Sequence, residues 1–143
     1  MLAPALVGMV DDWWFISGAA VALHGVSYID IADVDLLVSL RDAEPLASRL
    51  GIALAPGEAN DLFRSTLFGR WLEPPLPVEI MADFHVRSGD GWSDVRPTTR
   101  QAVTVEDATV FVPSRQELGR MLLGFGRPRD RVRARQLLGA EGH

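Results

Sequence analysis

Apolar and polar positions along the chain recur with periods that predict short strands joined by helices. The aromatic and β-branched run at residues 13–16 predicts a buried strand. Ser17 and Gly18 then allow a tight turn, and the uniformly small or apolar residues 19–23 predict a helix buried on all sides. Because Gly25 can end this helix, the chain is expected to begin its core with a strand, a turn and a buried helix.

A second strand, predicted over about residues 34–40, brings two carboxylates to one side of the sheet. Side chains alternate along a strand with a period of two. The valines of this segment therefore share one face, and Asp33 and Asp35 share the other. The two acids are expected to point the same way.

Alternation, turn residues and capping signals predict the remaining elements. In the first half they are a short helix within 2–9, a helix over about 43–50 with Asp42 as N-cap and Gly51 as its stop, and one or two short strands within 62–71. A strand over 78–84, a loop at 88–99 around Trp92 and a hairpin of 101–105 with 109–112 follow. A capping box of Ser114 and Glu117 then opens a helix with a core stripe at Leu118, Met121, Leu122 and Phe125, and a last helix covers about 129–138.

The length of 143 residues fits one domain. We expect a single α/β (α+β) domain over residues 1–143, with a mixed-sheet core at about 11–112 and C-terminal helices at about 114–138. No apolar run reaches the roughly 20 residues that span a bilayer, and residues 1–10 lack a basic segment, so a cytoplasmic location is expected.

Composition narrows the chemistry that the chain can perform. It contains no cysteine, which leaves carboxylates and histidine as its metal ligands. A net charge of −5 argues against a general nucleic-acid coat. All 14 basic residues are arginine, and half of them follow residue 113. A solvated helix face is the commoner meaning of such a run, and a grip on tRNA is the alternative.

The Asp-x-Asp pair has the spacing of a cation site. The Cα atoms of Asp33 and Asp35 should lie roughly 6.5 to 7 Å apart, which suits bridging one or two hard divalent cations. A third carboxylate on a neighbouring strand would complete a two-metal centre, and Glu79 is the candidate, with Asp83 as the reserve. Taken alone, such a pair more often caps a strand end or decorates a solvent-facing strand than binds a cation.

Aromatic residues and histidines have plainer interpretations. One of Trp13 and Trp14 should pack in the core, whereas Trp71 and Trp92 are expected in loops, where they could stack on a nucleobase. We expect His24 to close its helix in a structural role. His85 follows the acidic strand and could approach the site, although a strand-end position is the simpler expectation.

The ordered set of these segments resembles the nucleotidyltransferase superfamily with the DNA polymerase β-like fold, and within it small bacterial members of the toxin-like, AbiEii-type branch. The family pattern is a strand ending in a small-residue turn, a helix closing in His-Gly, Asp-x-Asp on the next strand, a third acid on a later strand, and C-terminal helices opened by Pro-Ser and by Gly-Arg-Pro-x-Asp. Here these are Ser17-Gly18, Ala20-Val21-Ala22-Leu23-His24-Gly25, Asp33-Val34-Asp35, Val78-Glu79-Ile80, Pro113-Ser114 and Gly126-Arg127-Pro128-Arg129-Asp130.

The resemblance implies an enzyme that moves a nucleoside monophosphate from an NTP to a hydroxyl of a small molecule, a protein or a tRNA end. Asp33, Asp35 and Glu79 would hold Mg²⁺ and form the catalytic set. The turn formed by Ser17 with Gly18 would shape a phosphate site at a helix N-terminus, and Arg120 or Arg127 would balance the triphosphate charge.

Three departures from the family pattern keep other functions open. Ser17-Gly18 reverses the usual Gly-Ser, Ile29 and Ile31 stand where toxin-like relatives carry Arg and Thr, and Leu122 stands where relatives often carry Lys. One alternative is an inactive binding module, such as the partner of a cognate antitoxin. Another is an antibiotic-modifying enzyme, which usually has a larger acceptor-binding segment. A homodimer that completes the cleft is also compatible with so short a chain.

Overall fold

The computed structural model describes residues 2–26, 30–57 and 62–139. The expectation for Ile29 lies outside these residues. The elements in chain order are α1 (Leu2–Leu6), β1 (Trp14–Ile16), α2 (Ser17–Leu23), β2 (Val34–Val38), α3 (Leu40–Leu50), β3 (Phe63–Trp71), β4 (Val78–Ser88), β5 (Gly91–Asp94), β6 (Gln101–Val105), β7 (Ala108–Val112), α4 (Arg115–Phe125) and α5 (Pro128–Gly139).

A mixed sheet with strand order β1-β2-β4-β3 forms the centre of the fold. The β2–β4 pair is parallel, and β1–β2 and β3–β4 are antiparallel. The long strand β4 carries β3 along one edge. On its other edge β2 pairs with the first half and β5 pairs with the second half. The predicted mixed sheet with packed helices is therefore confirmed.

Two strand predictions need correction. The segment 62–71 forms the single nine-residue strand β3, because residues 63–71 find partners along β4. The expected loop around Trp92 contains the strand β5, which folds back on the end of β4 and pairs Arg87 with Trp92. Gly89 and Asp90 make a two-residue hairpin turn between the paired residues Ser88 and Gly91, and Gly89 takes a positive φ of 61°.

The turn between β1 and α2 uses an unusual backbone conformation. Ser17 has φ 58°, in the left-handed region that costs a residue with a Cβ about 1 to 2 kcal/mol. Gly18 lacks a positive φ. The tight turn predicted at this place is present, but its strained position falls on the serine. The helix after it has seven residues and ends before Gly25, whose φ is 91°.

The start of α3 differs from its prediction. Ser39 is the N-cap, and its hydroxyl accepts the backbone N–H of Asp42. Asp42 was the predicted cap, yet its buried carboxylate accepts the N–H groups of Val10 and Asp11 and thereby ties the chain before β1 to this helix. The helix ends as predicted at Gly51, with φ 71°.

The predicted capping box at α4 is only half formed. The Ser114 hydroxyl accepts the N–H of Glu117, as expected. The Glu117 carboxylate instead accepts the backbone N–H and hydroxyl groups of Thr98 and Thr99. This side chain therefore fixes the segment before β6 and does not close the box.

Close contact between α4 and α5 positions the arginine-rich helix. A Cβ at Gly119 of α4 would lie 2.7 Å from Leu138 Cγ of α5, so only glycine permits this approach. The stripe predicted on α4 faces inward, with Leu118 and Leu122 fully buried. Both C-terminal helices contact α2, which places α5 beside the β1–α2 turn.

The core draws on both ends of the chain. Trp13 is buried and makes edge-to-face contacts with Phe15 and Phe111. Trp71, which was expected in a loop, lies at the end of β3 with 4 % of its surface exposed and its indole N–H near Glu73. It is a core residue and is not available for stacking.

The single-domain assignment of residues 1–143 stays a prediction.

Among the described residues, no helix combines the length and apolar character that crossing a membrane requires. The expected cytoplasmic location stays a prediction.

Candidate active site

Three carboxylates meet where β2 and β4 run side by side. Asp35 lies opposite Glu79 in the parallel register, and Asp33 just precedes β2 with the same facing as Asp35. One carboxylate oxygen from each of the three lies within 4.8 Å of the others, and all three residues are half-buried. The sheet therefore brings together the predicted acids.

These acids line a cleft of about 570 Å³, within the range of small-ligand sites. Its surface combines a carboxylate floor, a small-residue turn, an aromatic wall and several arginines. Residues lining it include Ser17, Gly18, Ile31, Asp33, Asp35, Phe63, Arg64, Glu79, Phe84, Phe125, Arg127, Arg129 and Arg133.

Crowding of negative charge perturbs the pKa of two of the acids. Burial, then the charges of Asp33 and Glu79, raises the pKa of Asp35 from 3.8 to about 7, against a hydrogen bond from the Ser17 hydroxyl. Burial and the Asp33 charge raise the pKa of Glu79, while the guanidinium of Arg70 opposes the shift. Arg70 is the cross-strand partner of Glu79 and lies 3.2 Å from its carboxylate.

The donor set fits a hard divalent cation. Mg²⁺ prefers carboxylate oxygens and retains coordination positions for water and phosphate. Burial, and after it repulsion between the carboxylates, favours the protonated forms and raises the pKa of Asp35. A cation between them would take the place of those protons.

Asp83, the reserve third acid, does not reach this site. Simple alternation would place it on the face of Glu79 and Met81. Asp83 instead has φ 55°, and Phe84 takes the position that lines the cleft. The left-handed backbone at Asp83 thus shifts the alternation of β4, so that after Met81 the next residue to face the cleft is Phe84. Asp83 lies with His85 and Asp94.

The two predicted arginines have different positions. Arg127 lines the cleft, where its guanidinium binds the buried carboxylate of Asp130 at 2.6 Å and lies over the Phe63 ring. Arg120 is exposed on α4 and is not among the cleft residues. Sequence reasoning missed Arg133 and its neighbour Arg129, which do line the cleft.

Arg133 of α5 lies directly against the β1–α2 turn. Its guanidinium donates to the carbonyl oxygen of Asp30 at 2.8 Å, and a Cβ at Gly18 would lie 3.1 Å from Arg133 Cζ. Burial lowers its pKa, and Arg129 adds to this effect. Because Arg129 and Arg133 are four residues apart, they share one helix face, a spacing that could have identified them.

The departures noted in the sequence have structural counterparts. The Ser17 hydroxyl binds Asp35 and the serine itself is buried. Ile31 lines the cleft, so this position adds an apolar wall. Leu122 is fully buried in the core and lies outside the cleft lining. A cationic side chain at this position would therefore not reach the carboxylates directly.

The two described histidines, His24 and His85, lie outside the carboxylate group. His24 Nε2 lies 2.8 Å from the carbonyl oxygen of Pro113, which agrees with a structural role at the end of α2. His85 lies near Asp83 and not near Asp33. Trp92 is half-buried with Arg64 and Arg87 against its ring, and its stacking on a nucleobase stays a prediction.

Comparisons with known proteins identify structures of the same fold. A candidate nucleotidyltransferase from Thermotoga maritima matches with a TM-score of 0.74 and 20 % identity over 97 % of this chain and 89 % of that one. ANT(2")-Ia in complex with adenylyl-2"-tobramycin matches with a TM-score of 0.58 and 12 % identity over 99 % and 87 %. The lincosamide adenylyltransferase LnuA with bound lincomycin matches at 0.55 and 13 % over 89 % and 85 %.

These likenesses define the class of fold. The chain has the nucleotidyltransferase fold that its sequence predicts, and the match extends over nearly the whole described chain. No protein-family model matches the sequence, and no curated protein matches it significantly. The AbiEii-type branch is not confirmed.

Proposed function

We propose that this protein is a metal-dependent nucleotidyltransferase that transfers a nucleoside monophosphate from an NTP, such as ATP, to an acceptor hydroxyl. The observation that carries the proposal is the group of Asp33, Asp35 and Glu79 in a cleft that arginines also line. A carboxylate centre beside guanidinium groups suits a substrate that combines a cation with a triphosphate.

Asp33, Asp35 and Glu79 would hold one or two Mg²⁺ ions. Bound there, Mg²⁺ supplies charge stabilisation to the attacking and leaving oxygens of the displacement. The acceptor oxygen forms a bond to the α-phosphorus as the bond to pyrophosphate breaks. Glu79 would accept the proton of the acceptor hydroxyl.

Arginines on α5 and just before it would bind the triphosphate. Arg133 lies beside Gly18, and Arg127 and Arg129 line the same cleft. Guanidinium groups bind phosphate oxygens in pairs, which suits the charge that moves to pyrophosphate when it leaves. In this proposal, arginines of the last helix take the triphosphate-binding role of Arg120. The sequence had favoured Arg120 and Arg127 equally for that role.

The acceptor would be a small molecule, a protein or a tRNA end. ANT(2")-Ia, whose structure contains adenylyl-2"-tobramycin, is only slightly longer than this chain, which covers 87 % of it. Chain length is therefore no argument against a small-molecule acceptor. The arginines around this cleft favour an acceptor without a large positive charge.

The test is transfer of label from α-³²P-NTPs with Mg²⁺ to bulk tRNA, to the protein itself and to a panel of hydroxyl compounds. Wild type should transfer label, and Asp35→Ala should lose transfer while remaining folded. Asp107→Ala, an exposed change in the β6–β7 hairpin, is the matched control and should be fully active. The proposal fails if wild type and Asp35→Ala bind Mg-NTP equally and neither transfers label.

A second candidate is an inactive binding module, for example the partner of a cognate antitoxin. The observation in its favour is that Ser17 occupies a left-handed position and its hydroxyl is already bound to Asp35. Calorimetry with Mg-ATP and Mg-GTP separates the two, because an inert module should show no metal-dependent binding. Sedimentation at several protein concentrations would test the homodimer.

A further inference from the structure

A second group of potential metal ligands lies on β4 and β5, apart from the three acids. It consists of Asp83, His85 and Asp94, with one ligand atom of each within 4.8 Å of the others. Asp83 and His85 are two residues apart on β4, and Asp94 lies opposite His85 in the β4–β5 pair. Cross-strand pairing therefore places an imidazole between two carboxylates.

The imidazole of His85 is held in the tautomer that binds metals. Its Nδ1 lies 3.0 Å from the backbone carbonyl oxygen of Asp83, and because a carbonyl only accepts, Nδ1 carries the proton. The Nε2 atom faces Asp83 Oδ1 at 3.8 Å. Metal-binding histidines commonly donate their second N–H to a carbonyl or carboxylate in this way.

The Asp83 carboxylate is oriented by a neighbour. The Thr66 hydroxyl donates to Asp83 Oδ2 at 2.5 Å, which leaves Oδ1 directed toward His85. Hydrogen bonds of this kind orient ligating carboxylates in metal sites. Asp94 is the least constrained of the three, since its ion pair with Arg96 is 4.0 Å long and both side chains are more than half exposed.

We propose that Asp83, His85 and Asp94 form a site for a transition-metal dication of the Zn²⁺ class. One imidazole with two carboxylates suits Zn²⁺ or Co²⁺ better than Mg²⁺. Tetrahedral ligands at about 2.1 Å from Zn²⁺ lie about 3.4 Å from one another. The spacing of 3.8 Å between His85 and Asp83 needs only a small rotation to reach it.

The site opens on a cavity of its own. Asp83 and Asp94 line a second cleft of about 410 Å³, which also includes Ser39, Asp11 and Trp14. Three protein ligands would leave a fourth position on a Zn²⁺ ion, where water or a small ligand could bind. A bound ion would also join the hairpin strand β5 to the central strand of the sheet.

The experiment uses full-length protein with Asp33→Asn and Asp35→Asn, which removes the first group of acids as a competing site. Zn²⁺ is titrated while imidazole ¹⁵N shifts and calorimetric heats are recorded. One equivalent should bind and shift the Nε2 signal of His85, and Mg²⁺ at the same concentration should not. Co²⁺ should give the visible absorption of a site with four or five ligands.

Variants identify the ligands. His85→Gln and Asp94→Asn should abolish the specific equivalent, and Thr66→Val should weaken binding about tenfold by freeing the Asp83 carboxylate. Arg96→Gln is the control, and should keep or strengthen binding because it removes the cation near Asp94. Far-ultraviolet circular dichroism confirms that each variant folds.

Three outcomes would overturn the proposal. They are no Zn²⁺ binding, binding that His85→Gln leaves unchanged, and an Nε2 signal that responds only to pH. The last result would make His85 an ion-pair partner of Asp83.

Discussion

Replacing Asp35 by asparagine should stabilise the metal-free protein in a pH-dependent manner. The raised pKa of this carboxyl means that the folded protein holds its proton more tightly than the unfolded chain does. Below about pH 4 both states are protonated and the carboxyl does not affect stability. As the pH rises from 4 to 7, the unfolded chain loses the proton first, so the free energy of unfolding falls.

The magnitude follows from the two pKa values. A change from 3.8 to about 7 corresponds to about 4 kcal/mol, at about 1.4 kcal/mol per pKa unit. Between pH 5 and pH 8 the loss should be about 3 kcal/mol. Glu79 shifts in the same direction and adds to the trend. The Asp35→Asn variant lacks the Asp35 contribution and should keep only that of Glu79.

The assay is urea unfolding of wild type and Asp35→Asn in EDTA at pH 5 and pH 8. The difference in unfolding free energy between the two proteins should change by about 3 kcal/mol in favour of the variant at the higher pH. Mg²⁺ should then stabilise wild type at pH 8 and have little effect on Asp35→Asn. Asp107→Asn serves as the exposed control and should follow wild type.

Two results would refute this reasoning. A difference that stays constant from pH 5 to pH 8 would mean that neither burial nor the neighbouring carboxylates raise the pKa of Asp35 in the folded protein. Equal stabilisation of wild type and Asp35→Asn by Mg²⁺ would mean that the ion binds elsewhere.

Three further predictions concern the surroundings of the acids. Arg133→Gln should weaken Mg-NTP binding about tenfold in calorimetry, because a guanidinium beside the turn is lost. Arg120→Gln is the control and should bind Mg-NTP like wild type. Equal effects of the two changes would exclude α5 as the phosphate-binding helix. Ser17→Gly should be about 1 kcal/mol more stable than Ser17→Ala in urea, since both lack the hydroxyl and only alanine retains the strain. Asp130→Ala should cost about 2 to 3 kcal/mol in the same assay by leaving Arg127 without its buried partner, and a neutral result would contradict that pairing.

Local patterns predicted most elements of the fold. Alternation placed Asp33 and Asp35 on one face, and the expected third acid, Glu79, lies opposite Asp35 in the structure. The glycine that ends α3, Gly51, was also identified correctly, because a left-handed C-terminal residue is a property of the chain itself. Such features depend on neighbours only a few residues away.

The errors arose where distant contacts override local preference. Asp42 has the chemistry of an N-cap, but the chain before β1 takes its carboxylate. Glu117 fits a capping box, but the segment at 98–99 takes its side chain. Trp71 has a loop-like sequence around it, and its burial follows from the length of β4 along which β3 pairs.

The stretch from Phe15 to Asp35 shows where sequence stops and tertiary structure begins. By itself the sequence determined that two carboxylates share a face after a small-residue turn, because the alternation of side chains along a strand depends only on local sequence. The sequence did not determine which arginine side chains lie beside these carboxylates. Arg133 reaches the turn because Gly119 lets α5 pack closely on α4, and Asp83 leaves the site because its backbone is left-handed. Packing between helices and a single unusual dihedral angle have no local sequence signal, so only the folded chain decides them.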